Sequence, residues 1–133
     1  MKMVRKVALA CFKDRKLMFV RSHKNENVFY NLGGKIEEGE TDIDCLLREV
    51  KEEVNSSIDK NTIEFLHEFQ TEAHGKENTM LNIRLYKGEL LEEPKPSSEI
   101  AEIRYFDSKA NEEQVTIMGK IILDWLQKHN YID

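Results

Sequence analysis

Three glutamates near the middle of the chain have a spacing that could bind a divalent metal ion. Glu49, Glu52 and Glu53 are three and four residues apart, so on a helix their carboxylates would lie along one stripe. Like charges this close repel one another, and a hard cation with oxygen ligands relieves the repulsion. Arg48 precedes them and could anchor one carboxylate by paired hydrogen bonds. The same stripe is also typical of a solvated helix face, so the spacing alone leaves both interpretations open.

The residues around this stripe predict the helix that carries it. Thr41, followed by Asp44, approximates a capping box, and Asp42 adds negative charge near the positive end of the helix dipole. The helix should end at Asn55, because asparagine tolerates the left-handed conformation that closes many helices. Its apolar face is expected to consist of Ile43, Leu46, Leu47, Val50 and Val54.

Runs of apolar residues predict strands on both sides of this helix. Residues 4–12 and 17–21 flank a polar turn and suggest a hairpin, and residues 28–32 suggest a short aromatic strand that Gly33 and Gly34 break. Further predicted elements are a hairpin of residues 63–73 and 79–87 around a turn starting at His74, a strand at 103–106, and an amphipathic helix from residue 111. The order predicts an α/β fold with a mixed β-sheet between helices, and the length suits a single domain spanning residues 1–133.

Composition narrows the range of partners. The 133 residues include 20 Lys and Arg against 25 Asp and Glu, a formal net charge of −5, which disfavours binding to a nucleic-acid polymer. Cys11 and Cys45 belong to no CxxC or Cys/His cluster and are interpreted as reduced thiols. The apolar run near the start, about eight residues long, is too short for a secretory signal or a membrane span. We therefore expect a cytoplasmic protein that does not insert into membranes.

Residues 34–56, GKIEEGETDIDCLLREVKEEVNS, resemble the Nudix box of MutT-like hydrolases. The box specifies a glycine, a glutamate after five residues, and, after seven more, Arg-Glu-aliphatic-any-Glu-Glu-any-Gly-aliphatic. Seven of these nine positions agree. Asn55 stands in place of the second glycine and Ser56 in place of the last aliphatic residue, a role that Ile58 could take over. Neither departure removes a carboxylate.

The resemblance implies a Nudix-type α/β/α sandwich that uses Mg²⁺ or Mn²⁺ to hydrolyse a diphosphate linkage in a nucleoside diphosphate derivative. It assigns catalytic roles to Arg48, Glu49, Glu52 and Glu53. The implied metal ligands are these three glutamates and the Gly33 carbonyl, and Glu99 is a further candidate ligand or general base. Candidate substrate-binding residues are Gly34, Glu40, Arg21 and Phe29. Arg21 lies between the first hairpin and the aromatic strand, where it could meet phosphates, and the ring of Phe29 or of Tyr30 could stack on a base. Arg48 would orient the glutamates, and Glu40 would support the loop.

The first substrates to test are ordinary or oxidised nucleoside triphosphates. One alternative is a catalytically silent nucleotide-binding module, against which the intact glutamates argue. The other is an isoprenoid diphosphate isomerase on the same fold, which would need an activated cysteine; neither Cys11 nor Cys45 has neighbours in sequence that suggest activation. The sequence leaves open the identity of the general base and the choice between monomer and homodimer.

Overall fold

The computed structural model describes residues 1–24, 27–73 and 75–133. Its strands are β1 (Lys2–Ala10), β2 (Phe12–Lys13), β3 (Lys16–Ser22), β4 (Tyr30–Asn31), β5 (Gly33–Lys35), β6 (Glu64–Glu72), β7 (Thr79–Lys87) and β8 (Ile100–Phe106). Its helices are α1 (Asp42–Val54), α2 (Ile117–Lys128) and a 3-10 turn at Lys60–Thr62. None of the described helices is long and apolar enough to cross a membrane. His74, where a turn is predicted, and Asn25 and Glu26 lie outside the described residues.

The strands form two four-stranded sheets. The first has the order β5-β1-β7-β6 and is mixed, because β1 runs parallel to β7 and antiparallel to β5. In the second, β3 pairs antiparallel with β2, β4 and β8. The predicted α/β class and the mixed pairing are confirmed, and the strands divide between two sheets where one was expected.

Strand β1 sends alternate side chains into two hydrophobic cores. Val7 and Leu9 pack with buried residues of α1, whereas Ala8 and Ala10 pack with buried residues of α2. Strand β3 divides its side chains between the two cores in the same way. Strands that are buried on both faces lack polar alternation, which is why residues 7–12 and 17–20 are continuously apolar. The helices thus cover the strands from two sides, as in the expected sandwich.

The first hairpin differs from its prediction. Strand β1 ends at Ala10 and pairs with β5 and β7, so the hairpin consists of β2 and β3, with Phe12 opposite Leu17. The chain passes from one sheet to the other at Cys11. Local residue patterns placed the turn correctly. The strands that pair with β1 come from distant parts of the chain, and local residue patterns do not specify such pairing.

Helix α1 follows its prediction closely. The Thr41 hydroxyl accepts from the Asp44 amide at 3.1 Å, and the Asp44 carboxylate accepts from the Thr41 amide at 3.3 Å. Asn55 closes the helix in the left-handed conformation, with φ 52° and ψ 41°. The carboxylate of Asp42 accepts hydrogen bonds from Arg84 at 2.7 Å and from Tyr86. These contacts join the start of α1, the helix that carries the carboxylate stripe, to β7.

Helix α2 begins later than predicted. Thr116 caps it, with its hydroxyl accepting from the Gly119 amide at 3.0 Å, and the first helical residue is Ile117 rather than residue 111. Val115 instead forms a parallel bridge with Phe29. Apolar periodicity ran across this junction because both segments bury residues in the same core, so the pattern did not mark where the helix starts.

Candidate active site

Gly33 and Gly34 form strand β5 instead of breaking a strand. Gly33 has φ +147°, and a Cβ atom there would lie 2.1 Å from the Val7 carbonyl oxygen. A Cβ atom on Gly34 would lie 2.5 Å from the carboxylate carbon of Glu49. A side chain at position 33 would strike backbone atoms, whereas one at position 34 would displace the end of the Glu49 side chain. The two glycines therefore allow carboxylates of α1 to approach the edge of the first sheet.

Glu53 and Glu49 lie against this glycine strand. The Gly33 amide donates to Oε1 of Glu53 at 3.1 Å. Burial raises the pKa of Glu53 to about 8; the nearby charge of Glu49 contributes to the rise, and the Gly33 hydrogen bond opposes it. Burial also raises the pKa of Glu49, against the opposing hydrogen bond from Arg48. The ionised forms of both carboxylates are disfavoured here, so a bound cation would stabilise them.

The Arg48 guanidinium holds the loop and the helix together. Its Nε and Nη2 atoms donate to Glu40 at 2.8 and 2.9 Å, and Nη1 donates to Oε1 of Glu49 at 2.6 Å. Nη2 also donates to the Lys35 carbonyl at 3.1 Å. The hydrogen bonds that Glu40 accepts from Arg48 lower the pKa of Glu40 to about 2. The paired hydrogen bonds of Arg48 thus go to Glu40, which anchors the loop, and not to a glutamate of the stripe, whereas Glu49 is held by a single hydrogen bond.

Glu52 stands apart from the other two glutamates. Its side chain is 54% exposed, and Oε2 lies 3.7 Å from Nη1 of Arg48. Among the described residues, no three His, Cys, Asp or Glu side chains are gathered at one point to hold a metal ion. The donor chemistry nevertheless fits Mg²⁺ or Mn²⁺: Glu49 and Glu53 offer hard oxygen ligands beside Gly33, and Glu52 extends from the same helix stripe.

A cavity of about 370 Å³ opens beside the two buried carboxylates. Apolar residues of the strands and of α2 line part of it, among them Ala8, Leu81, Ile83 and Met118. Its charged lining residues are Glu49, Glu53, Lys6, Lys35 and Lys76. A larger cleft of about 830 Å³, lined by Cys11 and Tyr105, contains no residue of the box. The smaller cavity is therefore the candidate substrate site.

Sequence reasoning missed the lysines of this cavity. Lys6 lies between the buried residues Val4 and Ala8 on one face of β1. A lysine flanked at both alternate positions by apolar residues was a signal that could have been noticed. Tyr30 was considered only for stacking on a base; burial, with the charges of Glu53 and then Glu99, raises its pKa to about 12.

Two of the expected substrate-binding residues lie elsewhere. Phe29 is 4% exposed and packs edge-on against Phe106 in the core, so the hypothesis that it stacks on a base does not hold. The guanidinium of Arg21 donates to Glu102 at 3.0 and 3.2 Å and is not part of the cavity lining. Arg21 was proposed for its place between the first hairpin and the aromatic strand, and Phe29 for its aromatic ring.

Glu99, the candidate additional ligand or base, is close to the cavity without lining it. Its side chain is 73% exposed, and Oε1 lies 3.9 Å from Nζ of Lys24. Its charge contributes to the raised pKa of Tyr30, which does line the cavity. Glu99 therefore stands at the rim.

The two cysteines have the opposite of an activated environment. Burial raises the pKa of both the Cys11 thiol and the Cys45 thiol to about 12. Cys45 lies beneath the loop, with Sγ 3.3 Å from the Lys35 carbonyl oxygen. A nucleophilic or proton-transferring cysteine needs a lowered pKa, so the site does not support the isomerase alternative.

The family model described as the NUDIX domain matches residues 3–126 of the chain. The chain therefore belongs to the Nudix family, as its box indicated, and it is a hydrolase that acts on pyrophosphate bonds. Among curated proteins, no significant match is found.

Solved structures share the fold across nearly the whole chain. A Nudix hydrolase from Nitrosomonas europaea has a TM-score of 0.78 and 17% identity, over 98% of this chain and 93% of that one. The E. coli ORF135 protein has a TM-score of 0.75 and 19% identity, over 100% and 96% of the two chains. The E. coli dihydroneopterin triphosphate pyrophosphohydrolase has a TM-score of 0.69 and 15% identity, over 96% and 95%. At these identities the likeness establishes the fold alone.

Proposed function

We propose that this Nudix hydrolase cleaves a diphosphate linkage in a nucleoside diphosphate derivative and depends on Mg²⁺ or Mn²⁺. Ordinary or oxidised nucleoside triphosphates are the first candidate substrates. The observation that carries the proposal is the placement of Glu49 and Glu53 against Gly33 and Gly34, at the wall of a cavity that also contains lysines. One protein of similar fold is named as a pyrophosphohydrolase of a triphosphate, which supports this choice of substrates.

In this proposal Glu49, Glu52 and Glu53 hold the metal together with the Gly33 carbonyl. A divalent ion held there would offset phosphate charge and supply an activated water. Arg48 keeps Glu49 in place through its hydrogen bond, and Gly34 leaves room for the Glu49 carboxylate beside the backbone. The proton acceptor is a carboxylate at the cavity: Glu49 or Glu53, or Glu99 at the rim.

The test is a turnover assay with purified protein, Mg²⁺ or Mn²⁺, and a panel of nucleoside diphosphate derivatives. We expect release of phosphate or pyrophosphate from at least one substrate. Glu53→Gln should abolish it, whereas Glu113→Gln, on an exposed loop before α2, should leave it unchanged. If no panel member is hydrolysed with either metal, the proposed substrate class and metal dependence are wrong.

We further propose that the protein acts in the cytoplasm on a small-molecule substrate rather than on a nucleic-acid polymer. Both described cysteines are free and buried, which suits a reducing compartment. The net charge of −5 opposes a broad contact with a phosphate backbone. A cavity of about 370 Å³ is of the size that encloses a small ligand.

A further inference from the structure

Two lysines of the candidate site stand directly opposite each other on neighbouring strands. Lys6 of β1 is the register partner of Lys35 of β5. Cross-strand partners project to the same face with their Cβ atoms about 5 Å apart, and like charges placed this way destabilise a sheet. Both residues line the cavity beside Glu49 and Glu53. An unfavourable pair at the wall of a cavity points to a ligand whose charge relieves the repulsion.

A third lysine joins them. Lys76, in the connection between β6 and β7, lines the same cavity. Burial lowers the pKa of Lys6, and the charges of Lys35 and Lys76 lower it further, against Glu53 and Glu49, which raise it. The cavity lining thus carries three lysines and two glutamates, in a protein whose net charge is −5. The formal charge of the lining is therefore +1, opposite in sign to the net charge of the whole chain.

The rest of the wall adds to this positive field. Thr116 and Met118, at the start of α2, also line the cavity, and the N-terminal end of a helix carries a positive partial charge. The first turn of α2 contains no acidic residue that would offset it.

We propose that Lys6, Lys35 and Lys76 form a phosphate clamp that selects nucleoside triphosphates over diphosphates joined to a second group. This inference rests on the proposed function, in which a divalent ion neutralises Glu49 and Glu53. The lysines are then left to bind phosphate oxygens. A triphosphate with a free terminal phosphoryl group carries more negative charge than a diphosphate esterified at both ends. It can therefore form charge-assisted hydrogen bonds with more of the three ammonium groups.

A phosphate-binding role for Lys6 predicts a different experimental result from a purely structural role. If Lys6 served only as a counter-ion for Glu53, its loss would change the pH profile of turnover equally for every substrate. If Lys6 binds phosphate, its loss raises KM selectively for triphosphates. Removing one of two facing lysines also relieves repulsion, so Lys6→Met should fold and melt no lower than wild type.

The first experiment measures binding without catalysis. Isothermal titration calorimetry of the metal-free protein compares inorganic triphosphate with orthophosphate. We expect tighter binding of triphosphate, and at least about a tenfold loss of triphosphate affinity in Lys6→Met, the order expected for one charge-assisted hydrogen bond. Lys6→Arg should recover part of it. Lys16→Met, on the exposed start of β3, is the matched control and should bind as wild type does. Equal affinities of Lys6→Met and wild type overturn the clamp.

The second experiment separates the clamp from the proposed function. With Mg²⁺, the KM of Lys6→Met for a nucleoside triphosphate should rise at least about tenfold, while its KM for a nucleoside diphosphate sugar should change little. If both substrates are turned over and the variant affects them equally, the clamp is wrong and the hydrolase proposal stands. If neither is turned over but inorganic triphosphate binding depends on Lys6, the proposed substrate class is wrong and the anion site stands.

Discussion

Glu53 is a position where the proposed activity and the stability of the metal-free fold oppose each other. Burial raises the pKa of Glu53 to about 8, whereas the pKa of the same carboxyl in an unfolded chain is about 4.3. The folded protein therefore holds this proton more tightly than the unfolded chain does. The resulting stabilisation is fully present below the unfolded pKa and is lost as the pH rises through about 8.

The size of the effect follows from this displacement. At about 1.4 kcal/mol per pH unit, it sets an upper bound of roughly 4 to 5 kcal/mol on the stability lost between acid and alkaline pH. Relaxation of the site and entry of water reduce the penalty of the buried charge, so we expect about 2 kcal/mol between pH 5 and pH 9. Glu53→Gln removes the titrating group and retains an oxygen that accepts from the Gly33 amide.

Urea unfolding of the metal-free protein at pH 5, 7 and 9 measures this loss of stability. Wild type should lose about 2 kcal/mol of unfolding free energy across the series, and Glu53→Gln should lose little of it. At pH 9 the variant should therefore be the more stable protein, although the proposed function predicts that it is inactive. Glu113→Gln, an exposed substitution, should follow wild type. A Glu53→Gln variant that is less stable than wild type at pH 9 would refute the reasoning.

Three further predictions concern the frame of the site. Gly34→Ala should lower turnover by at least about tenfold, because its Cβ would displace the Glu49 carboxylate; kinetics with a thermal melt distinguish this from unfolding. Asn55→Gly should raise stability by up to about 1 kcal/mol in denaturant unfolding, because glycine adopts the left-handed cap without strain. Asp42→Asn should cost about 1 to 2 kcal/mol at pH 7, since Arg84 lowers the pKa of Asp42; the difference from wild type should vanish as the pH falls through that lowered pKa.

Local signals were sufficient for the part of the site carried by α1. The Thr41 cap, the Asn55 termination and the carboxylate stripe all lie within one continuous segment, where residue spacing determines the helix face. The ties from Arg48 to Glu40 and Glu49 span at most eight residues. Charge complementarity at that distance could be expected from the sequence.

The opposite wall of the cavity could not be predicted in this way. Lys6 meets Lys35 only because β1 pairs with β5, and no local pattern specifies that register. The prediction also treated Gly33 and Gly34 as a strand break, because glycine lowers strand propensity. Their actual reason is steric: a side chain would strike the Val7 carbonyl or the Glu49 carboxylate. Tertiary packing outweighed propensity at both positions.

The alternating side chains of β1 have a consequence for how the protein unfolds. Val7 and Leu9 face one core and Ala8 and Ala10 the other, so neither core can open without exposing a strand that the other core needs. Unfolding should therefore be a single cooperative transition, with no population that has lost one helix and kept the other. Heat inactivation should then coincide with the global loss of structure, because Glu49 and Glu53 are carried by a helix packed on this shared strand.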